Sequence, residues 1–106
     1  MGGTIVITGC SSGIGHDAAH GLQARGWRVL ATCRKPVARL AAEGLESFPL
    51  DLADPVSIAA AVAEATARTG GRIDAVFNNA AFACPGAVED LPPGALRAVF
   101  ETNLFG

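Results

Sequence analysis

The chain has 106 residues, half of them hydrophobic and only 17% charged, a balance that builds one packed domain and excludes a disordered polypeptide. A net charge of −2 with scattered basic residues excludes the footprint of a nucleic-acid binder or a polybasic membrane anchor. No apolar run reaches bilayer-spanning length and the N-terminus lacks a signal-peptide pattern, so a cytoplasmic protein with no membrane partner is expected.

Thr4-Ile5-Val6-Ile7-Thr8 is β-branched and reads as a buried first strand. Residues 13–25 follow as a helix, with Ile14, Ala18 and Leu22 recurring every four residues and Gly26 as its stop. Trp27 to Cys33 is the second strand, Pro36 to Glu43 a short helix ending at Gly44, and Leu45 to Leu50 the third strand. Asp54-Pro55 opens the clearest helix. The Asp54 carboxylate suits an N-cap, and Pro55 suits the first helical position, where a missing N–H costs nothing. Ile58, Val62 and Ala65 share a face of it, and Gly70-Gly71 ends it. Ile73 to Phe77 is the fourth strand, residues 80–91 a loop, and residues 93–105 a last helix.

Strands alternating with helices imply right-handed crossovers and a parallel sheet covered on both faces. The fold class is therefore α/β, one doubly wound unit of about four strands, β-α-β-α-β-α-β-α.

Three cysteines, Cys10, Cys33 and Cys84, stand at wide spacings with no C-x-x-C pair, and read as small buried residues of a reducing compartment. His16 and His20 are four apart on the first helix, but no acidic residue completes a metal set at a recognisable spacing. They read as solvated helix residues, and no metal site is expected.

The chemistry concentrates in Thr8-Gly9-Cys10-Ser11-Ser12-Gly13-Ile14-Gly15, between a strand and a helix. Gly9 permits a tight turn, Gly13 lets a pyrophosphate approach backbone that has no Cβ, and Gly15 lets the helix start lie close to the sheet. The first-turn N–H groups of the helix face the anion with its dipole behind them. Ser11 and Ser12 add hydroxyls. The loop has the wrong spacing for a P-loop, and no Lys follows its last glycine. At the end of the second strand, where an NAD-type cofactor meets an acidic residue, the sequence reads Cys33-Arg34-Lys35. Arg34 suits a ribose 2′-phosphate, with Lys35 adding charge, so NADP is expected over NAD.

These residues resemble the short-chain dehydrogenase/reductase family. The resemblance rests on the TGxxxGxG loop, Thr8 to Gly15; on Asp51-Leu52 after the third strand; on Asn78-Asn79-Ala80-Ala81 after the fourth, similar to the family's NNAG; and on Asn103-Leu104-Phe105-Gly106, similar to its Asn-x-x-Gly. It implies a Rossmann-type sheet of order 3-2-1-4 and a dinucleotide held by Gly9, Ser11, Ser12, Gly13, Ile14, Gly15, Arg34, Asp51, Leu52, Asn79, Ala80 and Ala81. In the family the Asp contacts adenine. The reaction implied interconverts an alcohol and a carbonyl, with Asn103 as the catalytic Asn that helps hold a relay water. Two departures matter. Ala81 replaces a glycine. The chain also has no tyrosine, and its only lysine is Lys35, so the family's Tyr-x-x-x-Lys acid/base pair and its Ser are missing. The expectation is the N-terminal, cofactor-binding part of an oxidoreductase, inactive alone and prone to self-association at the edge of the fourth strand. A non-catalytic dinucleotide-binding module and an inactive truncated gene product are the rival readings.

Overall fold

A computed structural model describes residues 2–34 and 37–106. Lys35 and Pro36, to which an added charge and a helix start were assigned, lie outside the described residues. Four strands, β1 (Thr4–Ile7), β2 (Arg28–Cys33), β3 (Glu46–Pro49) and β4 (Ala75–Phe77), form one sheet in the order β3-β2-β1-β4. All pairings are parallel: Ile7 sits beside both Ala31 and Phe77, and Thr32 beside Phe48. The expected α/β class and strand order are both present.

The helices α1 (Gly13–Ala24), α2 (Ala38–Ala42) and α3 (Pro55–Thr69) divide between the two faces. On one face Ile5, Ile7, Val29, Ala31 and Cys33 of the sheet pack with Ala19 of α1 and Leu40 of α2. On the other, Leu30 and Phe48 pack with Ala61 and Ala65 of α3. Because side chains alternate along a strand, Val29 and Leu30 serve opposite layers, which is why the central strands are apolar on both faces apart from Thr4, Arg28 and Thr32.

The helix starts follow their local chemistry. The Asp54 carboxylate accepts the Val56 N–H at 3.0 Å, and α3 ends at Gly70 in the left-handed region, φ +67°. The helix faces depart from the expected stripes. Ile14 is 72% exposed while Gly15 and Ala19 are buried; Val62 is 60% exposed while Ala61 and Ala65 are buried. The rest of the stripes pack as expected, Ala18 and Leu22 against the core and Ala65 buried, so the departure is confined to Ile14 and Val62, while the most buried positions of α1 and α3 carry small residues that let the helices lie close to the sheet.

Beyond β4, a 3-10 turn at Val88–Asp90 interrupts the expected loop. Helix α4 (Ala95–Phe100) then widens into a π-helical turn over Glu101–Phe105, so the expected last helix is present in two forms. No helix among the described residues is long and apolar enough to cross a membrane.

Candidate cofactor site at the carboxyl ends of the strands

The sheet order reverses direction at β1, whose neighbours β2 and β4 are reached by crossovers on opposite faces. Such a switch point leaves a crevice outside the carboxyl ends of the strands. The loop after β1 shapes it. Thr8 N–H donates to the Phe77 carbonyl at 3.1 Å and Cys10 N–H to the Thr32 carbonyl at 2.9 Å, fastening the loop to β4 and β2. Cys10 is fully buried, its Sγ 3.3 Å from the Ile7 carbonyl oxygen. Burial pushes its thiol up to about 11, with a hydrogen bond to Thr32 opposing.

Thr8 then acts as a clasp. Its hydroxyl oxygen accepts the N–H groups of Asn79 at 3.0 Å and Ala80 at 2.9 Å. Asn79 returns the contact: its Nδ2 donates to the Thr8 carbonyl at 3.2 Å and the Gly9 carbonyl at 3.3 Å. The two glycine positions flanking the turn are sterically obligatory. A Cβ on Gly9, at φ +72°, would lie 2.9 Å from Ala80 Cα, and one on Gly15 would collide with the Gly9 carbonyl oxygen and stand 2.6 Å from Asn79 Nδ2. Gly13, at φ +61°, is different: a Cβ there meets no protein atom within 4 Å. Its missing side chain keeps space open rather than allowing internal contact.

Helix α1 begins at Gly13 with no side-chain cap, in contrast to α3. The N–H groups of its first turn have no intrahelical acceptor by construction. Open space at Gly13 beside an uncapped helix start fits a phosphate group, which supplies the negative charge and acceptors that this end lacks.

A cleft of about 270 Å³ opens here, lined by Gly9, Ser11, Ser12, Cys33, Arg34, Leu50, Asn79, Ala80, Ala81 and Phe82. Seven of the residues assigned from sequence, Gly9, Ser11, Ser12, Arg34, Asn79, Ala80 and Ala81, are thus brought together in one wall. Gly13, Ile14 and Gly15 form the helix start beside it. Asp51 and Leu52 stand after β3, outside the lining. The Asp51 carboxylate accepts the Ala53 N–H at 3.0 Å, and its own N–H donates to Ser57 Oγ at 2.9 Å. Leu52 lines a separate apolar groove against α3, with Gly106 against its backbone.

Asn103 grips the backbone of Phe82 with both ends of its amide, accepting the Phe82 N–H at 3.0 Å and donating to the Phe82 carbonyl at 2.8 Å. It therefore fixes one wall residue of the cleft. Thr8 and Phe82 were not assigned from sequence. Thr8 stood in the glycine motif, and its spacing to Asn79 across a parallel pair was the available signal; Phe82 carried none.

Among described residues, a parallel α/β sheet with a glycine turn at its switch point and an uncapped helix behind it is the architecture of a dinucleotide-binding protein. A family model described as short chain dehydrogenase matches residues 3–106. The chain is 38% identical over 105 residues to an uncharacterized oxidoreductase, YbbO, of Escherichia coli K12, covering 97% of this chain and 39% of that one. It is 31% identical over 108 residues to an NADPH-dependent 1-acyldihydroxyacetone phosphate reductase of Saccharomyces cerevisiae, covering 95% and 36%. Among solved structures, a short-chain dehydrogenase of Streptomyces avermitilis superposes with a TM-score of 0.87 at 33% identity, over 98% of this chain and 40% of that one. One from Burkholderia cenocepacia J2315, in complex with NADP, superposes with a TM-score of 0.79 at 32% identity, over 95% and 44%. The chain belongs to the short-chain dehydrogenase family. It spans about 40% of the length of the relatives it matches.

Proposed function

We propose that residues 1–106 form the cofactor-binding unit of an NADP-preferring short-chain oxidoreductase that interconverts an alcohol and a carbonyl. One observation carries the preference for NADP: Arg34 lines the cleft, and among the described residues no carboxylate does. A guanidinium suits a 2′-phosphate bidentately, whereas the two hydroxyls of an unphosphorylated ribose call for a carboxylate. The yeast relative's name and the Burkholderia complex agree with this choice.

In this reading the first-turn N–H groups of α1 at Gly13, Ile14 and Gly15, with Ser11 and Ser12, hold the pyrophosphate. Asn79, Ala80 and Ala81 floor the cleft. Asp51 and Leu52 border the adenine end, where Asp51 keeps its carboxylate turned into its own loop until a ligand N–H arrives. The dinucleotide, when bound, supplies or accepts the hydride. Asn103 holds Phe82 at the far wall, and is the residue of this chain assigned to the proton relay.

Affinities of NADPH and NADH for the chain, measured by calorimetry, test the assignment. NADPH is expected to bind more tightly, and Arg34→Asp to erase or reverse the difference. Equal affinities unchanged by the substitution would overturn it.

A second reading, a dinucleotide-binding module without chemistry of its own, is favoured by the absence of any tyrosine in the chain. Moving a proton to or from a substrate oxygen needs a positioned acid/base, and no phenol is present for it. Purified chain given NADPH and a panel of carbonyls is expected to show no saturable turnover, with the full family reaction requiring an acid/base from outside residues 1–106. Turnover that survives repurification would remove this second reading.

A further inference from the structure

One polar cluster lies beside the cofactor cleft, joined to it through Arg39, whose Nη1 donates to the Ser11 carbonyl at 2.9 Å. His16 and His20 lie a turn apart on α1, ring centroids 4.8 Å apart and planes at 73°. Glu43, which closes α2, reaches both: its Oε1 is 2.8 Å from His16 Nε2 and 3.6 Å from His20 Nε2. The sequence spacing offered the histidines no acidic partner, and the packing of α2 against α1 supplies one. All three side chains are half-buried, with their ligand atoms within 4.8 Å of one another. A turn further along, Gln23 Nε2 donates to the Gly44 carbonyl at 3.0 Å, which fixes the spacing of the two elements.

A simple ion pair accounts for only part of this. Both Glu43 oxygens are within 3.0 Å of His16 Nε2. The contact to His20, at 3.6 Å, is too long for a hydrogen bond. Yet the ligand atoms of all three lie within 4.8 Å of one another. Around a tetrahedral ion with bonds of about 2.0–2.2 Å, neighbouring ligand atoms stand about 3.3–3.6 Å apart, so the two Glu43 separations of 2.8 and 3.6 Å need shift by only about half an ångström, and the histidines, within 4.8 Å of each other, draw in around the ion.

We propose that His16 Nε2, His20 Nε2 and the Glu43 carboxylate form a binding site for a divalent transition metal of the zinc class, with its fourth position open to solvent. Two imidazoles and one carboxylate suit zinc, cobalt or nickel and disfavour magnesium or calcium, which take oxygen donors. In the metal-free chain Arg39 supplies the positive charge, with Nε 3.8 Å from Glu43 Oε1 and Nη2 3.4 Å from His16 Nε2. Arg39 is exposed and its Nη1 is held by the Ser11 carbonyl, so the ion displaces only its Nε and Nη2 contacts to Glu43 and His16. The ion then staples α1 to the end of α2.

The test is a titration of Co²⁺ and Zn²⁺ into untagged full chain carrying Cys84→Ser, which removes the exposed thiol. One equivalent of Co²⁺ is expected to give ligand-field absorption without a thiolate charge-transfer band, and Zn²⁺ to raise the melting temperature. His20→Ala and Glu43→Gln are each expected to weaken binding by about tenfold or more, and Asp17→Asn, on the same helix, to leave it unchanged. His20→Ala is decisive because it leaves the His16–Glu43 hydrogen bond in place, so its effect does not come from loss of that pair. No saturable binding, or binding that survives His20→Ala unchanged, would overturn the site.

Discussion

Replacing Thr8 by Val keeps the shape of a buried side chain and removes one oxygen. That oxygen accepts two backbone N–H groups, from Asn79 at 3.0 Å and Ala80 at 2.9 Å. Each orphaned donor would cost about 1–3 kcal/mol if sealed from water. Asn79 and Ala80 are half-buried, so water recovers part of this, and the net loss expected is about 2–3 kcal/mol. That is a large fraction of the roughly 5–15 kcal/mol that holds a typical domain together. Thr8→Ser retains the acceptor and loses only a methyl group, about 1 kcal/mol. Urea unfolding followed by circular dichroism separates the two: Thr8→Val moves the midpoint far more than Thr8→Ser. On the proposed cofactor assignment, dinucleotide affinity is expected to fall with it, because Asn79 and Ala80 line the cleft. Equal midpoints for the two variants would show that the clasp contributes nothing and that β4 is held by its strand pairing alone.

Acid weakens the fold in a defined direction. The Asp74 carboxyl is held below its ordinary value by the Thr4 N–H and then by Arg72, and Glu46 below its own by the Arg28 guanidinium. Lowered values mean stabilisation that is complete above the ordinary carboxylate range and lost as pH falls through the folded values. Unfolding midpoints measured from neutral to acid pH are expected to drop, and Asp74→Asn with Glu46→Gln to flatten that drop; an unchanged profile refutes the assignment. Thiol reactivity divides by burial: native chain at neutral pH is expected to take up iodoacetamide at exposed Cys84 and not at Cys10 or Cys33, whose thiols burial pushes up, and equal labelling of Cys10 counts against the packing described. The β4 edge, with Val76 exposed beside the apolar groove of Val6, Ile58 and Val62, is expected to make the isolated chain self-associate. A concentration-independent monomer in sedimentation, with α4 protected from hydrogen exchange, contradicts that.

The order of elements was legible because its signals are local. A β-branched run, a glycine turn and the Asp54-Pro55 start each act within a few residues, and the glycine loop announced the cleft. Faces of helices were less legible. Of the expected stripes, Ala18, Leu22 and Ala65 pack on the core but Ile14 and Val62 do not, and the positions buried beside them, Gly15, Ala19 and Ala61, are small residues that a hydrophobic repeat does not flag. The partnership of Glu43 with His16 spans 27 positions and exists only once α2 is packed, so no spacing rule reaches it. Phe82 likewise enters the cleft because Asn103, 21 positions later, holds its backbone.

The clasp between Thr8 and Asn79 joins residues 71 positions apart, whereas the Thr32 hydroxyl reaches Ile7 across only 25 and Arg28 reaches Glu46 across 18. Closing the longer loop first costs about 1 kcal/mol more in chain entropy than closing the 25-residue one. The strands β1, β2 and β3 are therefore expected to assemble ahead of β4, with the glycine loop formed before Asn79 and Ala80 reach it. During refolding, amides of β2 gain protection from hydrogen exchange before those of Asn79 and Ala80, and the chain passes through a stage with a folded glycine turn and no dinucleotide affinity; simultaneous protection of both sets refutes this order. If the proposed cofactor assignment holds, the same asymmetry puts ligand capture after the pairing of the fourth strand, so a dinucleotide would seal the sheet late rather than template it.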